Sequence, residues 1–155
     1  MKANIRIVLM DDQVLILEAI SALLGAHGVE HGIKVVACTE NYSQVLQTVQ
    51  QHQPHLVLLD MHMPEINGSV VAYKLKRYVP GLKIIMLSSF DSMQDLALAK
   101  DAGAHGYAFK SDSIDVLMAI IRKVMKGKES FVSSVSQEKL TSAAIGYVNL
   151  RCLVI

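Results

Sequence analysis

Three carboxylates, two hydroxyls and one ammonium sit where apolar runs end in this 155-residue sequence. Asp11 and Asp12 follow the run Ile5–Met10, and Asp60 closes the run over residues 55–59. Ser88 and Ser89 follow residues 82–87, and Lys110 follows residues 106–109. If each run is a strand of one parallel sheet, all of these groups gather at its carboxyl edge, where open α/β sheets bind their ligands. Acids clustered there without a counter-charge repel one another, so a cation is implied, and an all-oxygen donor set favours a hard ion, Mg2+. The serine hydroxyls can donate to a phosphoryl oxygen, and the Lys110 ammonium can pair first with Asp60 and then with a phosphate. Nucleophile, metal and positioned donors are the parts that in-line phosphoryl transfer to a carboxylate requires. The expected product is an aspartyl phosphate at Asp60.

The elements that must position these groups are readable from periodicity. Short apolar runs alternate with segments of helical spacing, the pattern of a parallel sheet covered on both faces. After Ile5–Met10, the residues Val14, Leu17, Ile20 and Leu24 recur at helical spacing until Gly25 and Gly28. Ile33–Thr39 is β-branched and reads as the second strand; residues 43–52 follow as a helix with Ser43 as its N-cap, closed by Pro54. Residues 55–59, 82–87 and 106–109 complete the strands, and residues 69–78, 92–102 and a stretch capped by Ser113 and ending at Gly127 complete the helices. Alternation with short connections predicts a flavodoxin-like, doubly wound α/β domain over residues 1–127: a five-stranded parallel sheet, (βα)5, in strand order 2-1-3-4-5.

Composition bounds what else the chain can be. With 52% hydrophobic and 19% charged residues and a mean hydropathy of +0.35, it fills a core. A net charge of +1 provides no overall field for nucleic acid or an anionic membrane. No apolar run approaches the ~18 residues a membrane span needs. The run Ile5–Met10 contains Arg6 and meets Asp11, unlike a secretory core, so residence in the cytoplasm is expected. Two cysteines, Cys38 and Cys152, without a CxxC argue against a disulfide framework or a zinc site, and Cys38 is expected to fill core volume. The six histidines are scattered.

The pieces Met10-Asp11-Asp12, Asp60-Met61-His62-Met63-Pro64-Glu65-Ile66-Asn67-Gly68, Leu87-Ser88-Ser89 and Gly103-Ala104-His105-Gly106-Tyr107-Ala108-Phe109-Lys110 stand in order, each at a strand end. Together they resemble the receiver domain of two-component response regulators. The resemblance implies that Asp60 accepts a phosphoryl group from a sensor histidine kinase or a small acyl phosphate. It implies that Asp11, Asp12, Asp60 and the backbone carbonyl of His62 hold Mg2+. It further implies that Ser88 follows the phosphoryl group, that Lys110 binds it, and that Tyr107 moves inward when Ser88 shifts, a two-state switch set by one covalent group. Such a domain assists its own phosphorylation and dephosphorylation without being a conventional enzyme.

Plainer readings exist for each residue alone. An Asp-Asp pair complements a helix dipole, Ser88 can simply end a strand, Tyr107 can be a packing aromatic, and His62 can be a neutral exposed imidazole. For the Asp pair and Ser88, joint occurrence at strand ends with Asp60 and Lys110 favours the functional reading. His62, two residues past the phosphoacceptor, is expected to overhang the site and to influence water access to it.

Residues 128–137 are polar and serine-rich and read as a linker. Leu140, Ala143, Tyr147, Leu150 and Val154 then form an apolar stripe at helical spacing, weakened by ~1 kcal/mol at Gly146. The block Gly106-Tyr107-Ala108-Phe109-Lys110 and the junction Lys139-Leu140-Thr141 resemble the NarL/FixJ-type subfamily, whose members carry a helix-turn-helix output domain. Residues 128–155 are too few for that domain, so this chain is not expected to bind DNA itself. Its output is expected through a downstream protein, a homodimer, or an output domain absent from these residues. Two other readings fit less well. An aspartate-nucleophile phosphatase needs a second Asp that Met61 and His62 do not supply, and a flavin site needs a glycine-rich phosphate cradle after the first strand.

Overall fold

The computed structural model describes residues 4–131. Five strands, β1 (Ile5–Met10), β2 (Ile33–Thr39), β3 (Leu56–Asp60), β4 (Lys83–Ser88) and β5 (Gly106–Phe109), alternate with five α-helices. These are α1 (Val14–His27), α2 (Tyr42–His52), α3 (Gly68–Tyr78), α4 (Met93–Asp101) and α5 (Ile114–Met125), with a 3-10 turn at Val29–His31 before β2. The sheet order is β2-β1-β3-β4-β5, with parallel pairing throughout. This is the flavodoxin-like order expected from the alternation. Among the described residues, no helix is long and apolar enough to cross a membrane.

Alternating side chains of the strands feed two apolar layers, because successive Cβ atoms point to opposite faces. Val8, Met10, Val57, Leu59, Ile84 and Met86 pack against α2, α3 and α4 through Val45, Val49, Val71, Leu75, Leu96 and Ala99. Ile7, Leu9, Leu56, Leu58, Ile85 and Leu87 pack against α1 and α5 through Leu17, Leu24, Leu117, Met118, Ile121 and Val124. Every residue of β3 is buried, which is why its sequence shows no polar alternation. Each such aliphatic side chain contributes about 1.5–3 kcal/mol by leaving water.

Three local expectations are corrected. The N-cap of α2 is Asn41, whose side chain accepts from the Ser43 N–H at 2.9 Å; Ser43 lies inside the first turn and bonds that same oxygen. Gln53, in the left-handed region at φ 44°, ends α2 before Pro54 is reached. Cys38 is exposed, not core, because β2 is the outer strand of the sheet. Beyond Gly127, the stretch read as linker begins with a sheet contact: Ser130 forms a parallel bridge with Gly106. The apolar stripe from Leu140 to Val154 lies outside the described residues.

Candidate functional site

The carboxyl ends of β1 and β3 are neighbours because β3 pairs directly with β1. Asp60 is the last residue of β3, and Asp11 and Asp12 follow β1, so the sheet delivers all three carboxylates to one point. Ligand oxygens of Asp11, Asp12 and Asp60 lie within 4.8 Å of one another. Asp11 and Asp60 are buried at 1% exposure, whereas Asp12 is not buried. The backbone pins the cluster: Gln13 N–H donates to Asp11 Oδ1 at 2.9 Å, and His62 N–H donates to Asp60 Oδ1 at 3.1 Å.

Lys110 arrives from the end of β5. Its Nζ lies 2.6 Å from Asp11 Oδ2 and 3.2 Å from Asp60 Oδ1. Its backbone N–H donates to the Ser88 carbonyl at 2.8 Å, which fixes the lysine beside β4. Burial alone would lower the Lys110 pKa, but the carboxylates of Asp11 and Asp60 outweigh it and hold the ammonium above the ordinary lysine range.

Asp60 is pushed from 3.8 up to about 7, first by burial and then by the adjacent Asp11 charge; Lys110 and the His62 N–H oppose the rise, and the Asp12 carboxyl adds to it. Asp60 Oδ2 is buried with no hydrogen-bond donor. Asp11 Oδ2 likewise has no properly directed hydrogen bond, although the Lys110 charge is close. When ionised, the three carboxylates and one ammonium leave a net charge of −2. A divalent cation cancels that charge, and the all-oxygen donor set of three clustered carboxylates fits Mg2+. A cleft of about 360 Å3, lined by Asp12, Asn41, Tyr42, Met63 and Pro64 among others, opens beside the cluster.

The remaining expected residues take other positions. Ser88 is fully buried, and its hydroxyl is turned to the backbone of Phe90, donating to the carbonyl at 3.0 Å and accepting from the N–H at 3.0 Å. Tyr107 already lies inward at 1% exposure, its hydroxyl 3.5 Å from the same Phe90 carbonyl. Burial pushes its phenol up to about 12, with the Ser88 hydroxyl opposing and the Asp95 and Asp91 charges reinforcing the rise.

His62 is not a lone surface imidazole. Its Nε2 meets Asp95 Oδ2 at 2.6 Å, and the Phe90 ring stands edge-on at 5.5 Å between centroids. Asp95, on α4 and 8% exposed, was not among the expected residues. Its sequence signal is masked, because an acid three positions after Ser92 reads as a first-turn helix acid, and the Ser92 hydroxyl does accept its N–H at 3.2 Å.

Comparison with known proteins agrees with this geometry. Residues 7–122 match the family described as the response regulator receiver domain. The chain is 33% identical over 127 residues to the "Uncharacterized transcriptional regulatory protein YvfU" of Bacillus subtilis strain 168, covering 82% of this chain and 62% of that protein. It is 29% identical over 124 residues to the "Transcriptional regulatory protein DegU" of Brevibacillus brevis, covering 80% of this chain and 51% of that protein. The chain thus spans about half to three-fifths of the length of these curated relatives. Among solved structures, a LuxR-family two-component response regulator from Aurantimonas sp. SI85-9A1 shares the fold, with a TM-score of 0.83 at 20% identity over 92% of this chain and 99% of that one. A family match over most of the described residues, on a sheet that carries the carboxylate cluster and its lysine, identifies this chain as a member of the response regulator receiver domain family.

Proposed function

We propose that this receiver domain is a phosphorylation-dependent signalling module whose phosphoacceptor is Asp60. The observation that carries the reading is the Lys110 ammonium bridging Asp11 and Asp60 while the second Asp60 oxygen has no donor. An unpaired carboxylate oxygen held beside a fixed cation is a nucleophile with its electrostatic support already in place. That oxygen forms a bond to the phosphorus of a phosphohistidine on a sensor kinase, or of a small acyl phosphate. The bond to the donor's imidazole nitrogen or carboxylate oxygen breaks, and the donor leaves with the electron pair.

Asp11, Asp12, Asp60 and the His62 carbonyl would hold Mg2+, which supplies charge neutralisation for the phosphoryl oxygens. Lys110 pairs with one of those oxygens. The Ser88 hydroxyl turns from Phe90 toward another, and Tyr107 stays inward. The readout is a changed surface over α4, β5 and α5 that recognises a partner or a second copy of this chain.

A more specific reading is favoured by the relatives, which are transcriptional regulatory proteins longer than the matched region. On that reading, these residues are the receiver of a NarL/FixJ-type regulator acting in the cytoplasm. Residues 1–127 are then the phosphoacceptor domain, and residues 128–155 lead toward an output part.

The decisive test is intact-protein mass after incubation with Mg2+ and acetyl phosphate. A labile phosphoryl adduct on the native chain, absent from Asp60→Ala, is the expected result; an adduct of equal yield on Asp60→Ala would remove Asp60 from its role.

A further inference from the structure

Residues 129–131 return along the outer edge of β5. Ser130 O accepts the Tyr107 N–H at 2.8 Å, and Ser130 N–H donates to His105 O at 3.0 Å. Ser130 is 6% exposed, as closely covered as a core residue. Gly106 makes room for it, since a Cβ there would stand 2.9 Å from the Ser130 carbonyl oxygen. The next side chain, Phe131, packs on the core layer that contains Tyr107. It lines a crevice too narrow to hold water together with Leu96, Tyr107 and Phe109, and Lys100 of α4 lies 4.9 Å from its ring centroid.

Tyr107 is therefore held at three points. Its backbone is tied to Ser130, it lines the same narrow crevice as Phe131, and its hydroxyl approaches the Phe90 carbonyl, which the Ser88 hydroxyl also uses. When Ser88 turns toward Asp60, the Phe90 carbonyl loses its 3.0 Å donor and keeps only Tyr107. That change favours the inward ring, and the inward ring belongs to the core layer on which Phe131 packs.

We propose that residues 129–131 form a strap that holds Tyr107 inward and couples the occupancy of Asp60 to the seating of the chain that leaves the domain. The inference rests on Asp60 being the phosphoacceptor. Coupling of this kind is reciprocal: whatever factor a group at Asp60 adds to the seating of the strap, a seated strap adds to the affinity at Asp60.

The test uses the full chain, native and as Phe131→Ala and Phe131→Leu, with Mg2+ and beryllium fluoride as the stand-in for a phosphoryl group. Nuclear magnetic resonance follows the Tyr107 ring and hydrogen exchange at the Ser130 amide, and titration yields the affinity for beryllium fluoride. In the native chain, beryllium fluoride is expected to slow Ser130 exchange, by about 5-fold or more at the usual size of such couplings. Phe131→Ala is expected to turn the Tyr107 ring toward solvent and to weaken beryllium fluoride binding by that same factor. Phe131→Leu, which keeps apolar cover, should recover most of both. Native binding together with an inward Tyr107 ring in Phe131→Ala would overturn the strap. If the native chain takes no beryllium fluoride, the phosphoacceptor reading and the coupling fail together, and the Tyr107 ring in the unliganded Phe131→Ala chain decides the hold on Tyr107 alone: outward upholds it, inward overturns it.

Discussion

Lys110 meets two carboxylates at 2.6 and 3.2 Å, yet Asp60 Oδ2 has no donor, so the cluster is short of positive charge unless a cation joins it. This deficit makes Asp60 a cost to the fold. Its pKa is about 7 when folded against 3.8 as an ordinary carboxyl, so the folded state binds that proton more tightly than the unfolded chain does. Stability falls as pH rises from about 4 to about 7, the loss is complete above that range, and a divalent ion offsets it. Asp60→Asn, measured by urea unfolding without Mg2+, is expected to be more stable than the native chain at pH 7.5 by roughly 1–3 kcal/mol, the usual cost of an unsatisfied buried group. At pH 4 the difference should vanish; an equal gain at both pH values would mean that the effect is packing and not charge. His62 and Asp95 support a second prediction. The imidazole stands between Phe90 and Asp95 at the α4 side of the site, so both His62→Ala and Asp95→Ala should change the lifetime of the aspartyl phosphate in the same direction, read as loss of the adduct with time. The clustering of the acids and Lys110 was legible in the sequence because each stands where an apolar run ends, whereas the turn of the Ser88 hydroxyl to Phe90 was not. The His62–Asp95 contact was not, since 33 positions separate the two residues and the fold alone brings them together.

At the scale of elements, the approach of α3 to β3 is set by one glycine. Gly68 N–H donates to Met61 O at 2.8 Å, and a Cβ at Gly68 would overlap the Asp60 carbonyl oxygen and come within 2.9 Å of Met61 Cα. The helix can therefore start against the strand end only while position 68 has no side chain. Gly68→Ala is expected to cost about 1–3 kcal/mol, seen as a lower urea midpoint at unchanged slope, and to weaken Mg2+ binding because the displaced backbone carries Asp60. Strands were the most legible elements: Ile5–Met10, Ile33–Thr39 and Gly106–Phe109 stand where their apolar runs do. Helix starts were less so. Asn41 and Ser43 are both capping residue types, and which one serves depends on where the chain turns out of β2, a tertiary matter. The exposure of Cys38 has a similar origin, because the residues of an edge strand look the same in sequence as those of an inner one.

For the whole molecule, the sheet order β2-β1-β3-β4-β5 was legible only through the alternation of elements and the handedness of crossovers; nothing in the polar residues 128–130 announced that Ser130 would bridge to Gly106. The same order separates the acids from their counter-charge along the chain. Pairing β1 with β3 brings Asp11, Asp12 and Asp60 together, whereas Lys110 follows β5, the last strand among the described residues. A chain that has built the centre of the sheet but not yet added its far edge holds three acids with no ammonium among them. Such a species is penalised at neutral pH and relieved by protonation or by a divalent ion. Stopped-flow refolding of the native chain is therefore expected to accelerate with millimolar Mg2+, whereas Asp60→Asn should refold faster than native without the ion and respond to it less. A native refolding rate indifferent to Mg2+ would mean that β5 and its lysine are already docked when the barrier is crossed. A refolding rate that rises with Mg2+ would make the carboxylate cluster a brake on assembly, released when β5 brings its lysine, before it serves any ligand.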